Sequence, residues 1–221
     1  MITVFGEGRG FRVVWLLEEM GLDYRLRPVD MLAGVENDPE FLAINPAGFI
    51  PALQDGETVM VESIAILEYL LGRYGPTPLA PDPQDPAFGL YQQFLHLGEA
   101  GLAGFMFIAV VSRMLAPPAE RDNWGARKAL SLFEARRGLV ARRLAATPYM
   151  AGQSFTAADI SITYALEFAQ RAGGVALTEA ERAYLARTTG RDGYRRAMDA
   201  CPATRAWAAE VAARSLASGR A

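Results

Sequence analysis

Two short clusters of residues carry chemistry out of proportion to their length. One is Gly48-Phe49-Ile50-Pro51-Ala52-Leu53; the other is the Glu62-Ser63 pair that follows it. Pro51 has no N–H and cannot serve as an ordinary central-strand residue, so it marks a strand entry or a cis turn. An X-Pro bond is where a cis peptide costs least. A cis Ile50-Pro51 bond would swing the Ile50 backbone outward, leaving its N–H and C=O to pair with an extended peptide as an added strand. Ser63 stands at the N-cap position of an apolar-periodic run, Ile64, Ile66, Leu67, Leu70 and Leu71. The start of that helix offers orphan N–H groups and the positive end of a dipole, both of which favour a carboxylate. Glu62 beside it is placed to hold an ammonium. Together these residues describe a site for a small zwitterionic peptide.

A third cluster is the glycine loop Gly6-Glu7-Gly8-Arg9-Gly10. It follows a short β-rich run, Ile2–Phe5, and precedes a helix, Phe11–Met20, that Gly21 ends. A dinucleotide fingerprint would need its third glycine at position 11, which is Phe11. The strands also run out after Val61, too few for a doubly wound sheet. One Cys and one His make a disulfide framework or a metal site improbable, and the site residues include no metal ligand.

The elements that must position these clusters follow in order. Tyr24–Val29 alternates as a strand, Asp38–Ile44 forms a short helix, and Pro51–Gln54 and Thr58–Val61 pair through an Asp-Gly turn. Ser63–Arg73 closes an α/β domain, 1–75. Residues 76–86 are a proline-rich linker. Everything from 87 to 221 reads as helix: 88–115 as one helix or two, 123–145, 156–172, 178–188, 191–200 and a last helix from about 203. Thr156 and Asp159 have capping-box spacing, with Phe155 placed as a staple on Ile160; Asp159 therefore reads as a structural carboxylate rather than a catalytic acid. Charged residues are 21% of the chain and the net charge is -3, which argues against nucleic acid as a partner. The arginines at 136–143 read as solvated or paired surface. The N-terminus has no basic, apolar signal sequence. The longest apolar run, near Leu102–Val111, falls short of the roughly 20 residues that span a bilayer. These features lead to an expectation of a cytoplasmic protein with no membrane partner.

Gly48–Leu53 followed by Glu62-Ser63-Ile64-Ala65-Ile66-Leu67-Glu68-Tyr69-Leu70 resembles the glutathione-site signature of the cytosolic glutathione S-transferases. Ala151–Gln153 with Thr156–Asp159 resembles the capping box of that family's helical domain, and 183–197 its late helices, although Asp192 replaces the usual proline after Arg191. The resemblance implies a thioredoxin-like N-terminal domain on an all-α C-terminal domain, with glutathione as cosubstrate and no metal. It implies an enzyme of detoxification that transfers the glutathione thiolate to a small apolar electrophile or a disulfide, and a homodimer. It implies glutathione-binding roles for Ile50, Pro51, Glu62 and Ser63, with Phe49 and Glu99 as further candidates and His96 beside Glu99. Phe105, Met106 and Phe107 become candidate walls of a cosubstrate pocket.

The chain departs from that pattern at the reacting sulfur. Family members supply a Tyr, Ser or Cys near the end of the first strand or the start of the first helix. Phe5 stands where tyrosine is expected, and no Ser, Thr, Tyr or Cys occurs between Thr3 and Tyr24. Arg9 and the backbone of Gly8 and Gly10 are the candidates to serve the thiolate. Phe49 replaces a polar or basic residue that helps hold the glycine end of the tripeptide. Cys201 is expected far from the glycine loop. A non-catalytic binding or assembly module is the alternative reading.

Overall fold

The computed structural model describes residues 1–31 and 33–217, with side-chain surroundings given through residue 210. Contacts divide the chain into two units. One joins Met1–Thr77 to the segment from Arg191 onward; the other is Pro78–Gly190.

The first unit is built on a four-stranded sheet in the order β2-β1-β3-β4. β1 (Ile2–Phe5) runs parallel to β2 (Tyr24–Arg27) and antiparallel to β3 (Ala52–Asp55), which pairs antiparallel with β4 (Thr58–Val61). Helix α1 (Phe11–Met20) makes the crossover between the parallel strands. Its residues 11–17 are all buried, Arg12 among them, because α1 is packed by α3 (Ser63–Tyr74) and by a helix from much later in the chain. Gly21, at φ 65°, ends α1 in the left-handed conformation that a glycine adopts without penalty. A short helix α2 (Pro39–Ile44) precedes β3. The mixed four-stranded sheet and its helices form a thioredoxin-like domain.

The expected boundary puts everything after the linker into the helical part. Instead α9 (Asp192–Ala200) joins the first unit. Tyr194 lies edge-on to both Trp15 and Phe11, with ring centroids 4.9 and 5.4 Å apart. Arg191 holds Glu19 in a two-pronged pair, at 2.8 and 2.7 Å, and Arg196 reaches Glu18 at 2.7 Å. Gly193 lies against Glu19, where any side chain would collide. Aromatic burial and bidentate charge pairing across some 170 residues outweigh the proline-rich punctuation that suggests a simpler division. α10 (Pro202–Ala217) follows in the same unit.

The second unit is helical: α4 (Phe88–His96), a π-helical segment (Leu97–Ala103), α5 (Gly104–Leu115), α6 (Trp124–Leu144), α7 (Ala157–Arg171) and α8 (Glu179–Thr189). The first three are continuous over 28 residues, so this stretch is long and apolar enough to cross a membrane by length and composition. That corrects the expectation drawn from its shorter apolar run. Half of its apolar window is buried inside the fold. The π-helical turn packs on α7, and Gly98 permits the approach, since a Cβ there would overlap Ser161.

The starts of α7 and α8 are closed by the chain itself. Asp159 accepts from the Thr156 N–H at 2.9 Å, the Met150 N–H at 2.8 Å and the Tyr184 hydroxyl at 3.0 Å. Burial nevertheless raises its carboxyl to about 6. Thr178 and Glu181 form a second capping box at α8. Glu181 is also bound by buried Arg137, whose Nε lies 2.7 Å from it. Of the arginine cluster, Arg137 is thus an internal ion pair, and Arg136 lies over the Phe105 ring at 4.3 Å.

Candidate functional site

The glycine loop, the Ile50-Pro51 turn and the start of α3 converge in the first unit. Gly6, at φ +81°, lies against Ile50 so closely that a Cβ would fall inside the isoleucine side chain. A Cβ on Gly8 would lie 3.6 Å from Ile50 Cδ1, and one on Gly10 would lie 3.2 Å from Pro51 Cβ. Glycine is required at position 6 both by its backbone and by its neighbour. The Ile50-Pro51 bond is cis. β3 begins only at Ala52, paired with Phe5, so Ile50 lies beyond the end of the sheet ladder. Buried Asn45 shapes the approach. Its Nδ2 donates to the Phe49 carbonyl at 2.6 Å, and its Oδ1 accepts from the Ala47 N–H at 3.1 Å.

The start of α3 differs from the expectation in one respect. Ser63 is the first helical residue, and the N-cap is Glu62, at φ 71° and ψ 104°. Glu62 is the only non-glycine residue with positive φ among the described residues. Such a backbone costs about 1–3 kcal/mol and persists where the surroundings impose it, typically around ligand sites. The Ser63 hydroxyl is thereby released from capping its own helix. It accepts instead from Nη1 of Arg12 at 2.8 Å, with Arg12 fully buried and Ser63 nearly so. A hydroxyl that accepts from a guanidinium keeps its own proton to donate, and becomes a better donor for it. Arg12, the Ser63 O–H and the positive end of a twelve-residue helix all favour an anion at one point. Glu62 is exposed beside them.

At the glycine loop the apolar reading of Phe5 holds. It is buried against Phe41 and Ala52. The Gly10 N–H donates to the Glu7 carbonyl at 2.9 Å, which removes it from the donors offered to a thiolate. Glu7 is the neighbour that sequence reasoning passes over. Its buried carboxylate accepts from the N–H groups of Ala203 at 3.2 Å and Thr204 at 2.6 Å, and so closes the start of α10. Cys201 accordingly lies near the loop, not far from it as expected, because α9 folds back onto α1 and the start of α10 is held by Glu7. Its thiol is fully buried, and burial, followed by the charges of Glu7 and Glu18, pushes it up to about 12. That thiol is a poor nucleophile.

The remaining candidates belong to the second unit. His96 is exposed at the end of α4, and Glu99 is half-buried in the π-helical segment. Met106 is fully buried beside Gly173 and belongs to the core, whereas Phe107 is exposed. Among the described residues, no three His, Cys, Asp or Glu side chains form a group that could hold a metal ion.

Arg12 is legible in the sequence as an anomaly, a lone charge in the run Phe11-Arg12-Val13-Val14-Trp15-Leu16-Leu17. A cation inside a run buried on every face, as residues 11–17 are, needs a reason.

Residues 2–72 match the family model for the glutathione S-transferase N-terminal domain. Glutathione S-transferase 3 of Zea mays is 34% identical over 157 residues, covering 67% of this chain and 68% of its own length. Glutathione S-transferase PM239X14 of Arabidopsis thaliana is 31% identical over 173 residues, covering 72% of this chain and 78% of its own. Among solved structures, the theta class glutathione S-transferase of the citrus canker pathogen Xanthomonas axonopodis pv. citri, with glutathione bound, superposes with a TM-score of 0.74. It is 29% identical, over 89% of this chain and 96% of its own. Similarity of this extent spans both the sheet domain and the helices, and the chain belongs to the glutathione S-transferase family.

Proposed function

We propose that the chain binds reduced glutathione and transfers its thiolate to a small apolar electrophile or a disulfide. The observation that carries this reading is the Arg12–Ser63 contact at the open start of α3. A buried cation and a freed hydroxyl at a helix N-terminus form a seat for the γ-glutamyl carboxylate, and exposed Glu62 meets the neighbouring ammonium. The Ile50 backbone, outside the sheet ladder, pairs with the cysteinyl peptide groups. The bound glutathione of the theta class relative supports this occupant.

Thiolate stabilisation then falls to Arg9 and to the N–H groups of residues 8 and 9, since Gly10 is committed to Glu7. Positive charge and backbone dipoles near sulfur lower its pKa from about 8.5. Glu99, Phe105 and Phe107 are assigned to the ligand and cosubstrate on family grounds alone. The protein is further proposed to be cytoplasmic and homodimeric; a light-scattering mass of a single chain, 24.0 kDa, overturns the dimer.

Turnover with an aromatic halide and with hydroxyethyl disulfide tests the reaction. Thiolate absorbance of bound glutathione that is lost in Arg9→Ala supports Arg9, and unchanged absorbance removes it. A second reading, a non-catalytic binding module, is favoured by the placement of Glu7. The loop that lacks a hydroxyl carries a carboxylate committed to α10. Glutathione binding without turnover of either substrate would establish that reading instead.

A further inference from the structure

We infer that the site does not select for a free carboxylate at the glycine end of its thiol ligand. It takes glutathione capped there as an uncharged amide at least as well as glutathione itself. The inference rests on the glutathione reading above and concerns its other end. With one carboxylate seated at Ser63 and the backbone paired along Ile50, a tripeptide extends roughly 10 Å. Val61, two residues before Ser63, pairs with Ala52, so a ligand running from Ser63 past Ile50 leads toward Phe49, which Asn45 ties to the end of α2.

The segment 33–49 lies on that side, with Val35 and Leu42 against Gly48, and it contains Glu36, Asp38 and Glu40 and no Lys, Arg or His. The neighbouring cation, Arg27 at the end of β2, is already consumed. It grips both oxygens of Asp38 and reaches Glu40 at 3.1 Å, and its guanidinium holds the Asp38 carboxyl below the usual range. The polar side chains there are spent as well. Asn45 uses its amide nitrogen on the Phe49 carbonyl and its oxygen on the Ala47 N–H. Asn37 donates to the Ala33 carbonyl at 3.0 Å. Beside the exposed Glu36 and Glu40, this end presents the apolar Phe49 ring, 37% exposed.

A free carboxylate there faces an apolar ring and a net acidic field. An amide removes the charge and adds N–H donors to which the surrounding carboxylates can respond. The two ends of the site therefore treat charge oppositely: Arg12 and Ser63 demand a carboxylate, and the Phe49 side gains nothing from one.

Calorimetric titration of the full chain with glutathione and with γ-glutamyl-cysteinyl-glycinamide tests this, at low and at physiological salt. The expected result is equal or tighter binding of the amide, with an advantage of about threefold at low salt that shrinks as salt screens the acidic field. Phe49→Lys should reverse the preference by improving glutathione alone. Glutathione binding about tenfold tighter than the amide in wild type would overturn the inference while leaving the glutathione site intact. Failure of both ligands to bind would overturn the site itself, and the inference with it.

Discussion

The starts of α3 and α7 open with similar residues and are finished in opposite ways. At α7, Thr156 caps the helix and Asp159 reaches back, with Met150 and Tyr184 adding donors until the carboxylate is saturated. At α3, Ser63 caps nothing, Glu62 holds a strained backbone in its place, and a buried arginine charges the hydroxyl from below. The first N-terminus is closed by a carboxylate from its own chain. The second accepts none from its own chain, and the proposed reading gives it the carboxylate of glutathione. The comparison separates a helix end saturated by its own chain from one that is not, which a matching residue type at the start cannot do. The start of α10 is a third variant, closed by Glu7 from a loop almost 200 residues earlier.

The sharpest way to break the comparison is to empty the closed end. Asp159→Ala leaves the Met150 and Thr156 N–H groups and the Tyr184 hydroxyl without their acceptor. It should lower the unfolding free energy by about 3–5 kcal/mol in urea denaturation. Glutathione affinity should stay within about twofold, because Asp159 is held by Met150, Thr156 and Tyr184 and Ser63 by Arg12, with no partner common to these contacts.

The same carboxylate should leave a pH signature. Burial raises Asp159 from 3.8 to about 6 in the folded state, against the pull of its hydrogen bonds. The folded protein then takes up this proton before the unfolded chain does, so the associated stability is present in full below 3.8 and lost as pH rises through about 6. Relative to Asp159→Asn, wild type should lose on the order of 2–3 kcal/mol between about pH 4 and pH 7. A flat difference would show a carboxylate that is ionised throughout.

At the open end, Arg12→Met keeps the volume but removes the charge, and should weaken glutathione about 10- to 100-fold in calorimetry. An unchanged affinity would reduce Arg12 to a packing residue. A smaller effect is expected from restoring a hydroxyl at the loop. Glu7→Ser should raise aromatic-halide turnover about tenfold if the missing donor limits the reaction, while costing about 1 kcal/mol at the start of α10. No gain in turnover would place the limit elsewhere.

The features of the fold that rest on local sequence are legible in the chain alone. Gly21, the Asp-Gly hairpin, Pro51 and the Thr156–Asp159 spacing each act through neighbours a few residues away. The features that are not legible depend on partners far along the chain. The role of Ser63 turns on Arg12, 51 residues earlier, and that of Glu7 on N–H groups 196 and 197 residues later. Cys201 departs from its expected place for the same reason: the return of α9 onto α1 is carried by Tyr194, Arg191 and Gly193, whose types announce no partner. Arg12 does give a signal, since a charge inside the otherwise apolar, buried run 11–17 demands a use. Glu7 gives none, because an acidic residue in a glycine loop is ordinary.

The central claim is that α3 begins as a carboxylate seat, and calorimetric titration of reduced glutathione into wild type and Ser63→Ala tests it most directly. Sub-millimolar binding in wild type, weakened at least about tenfold in a mutant that still folds, is the predicted result. Equal affinity in the two proteins would contradict it and move the ligand's carboxylate away from the start of α3.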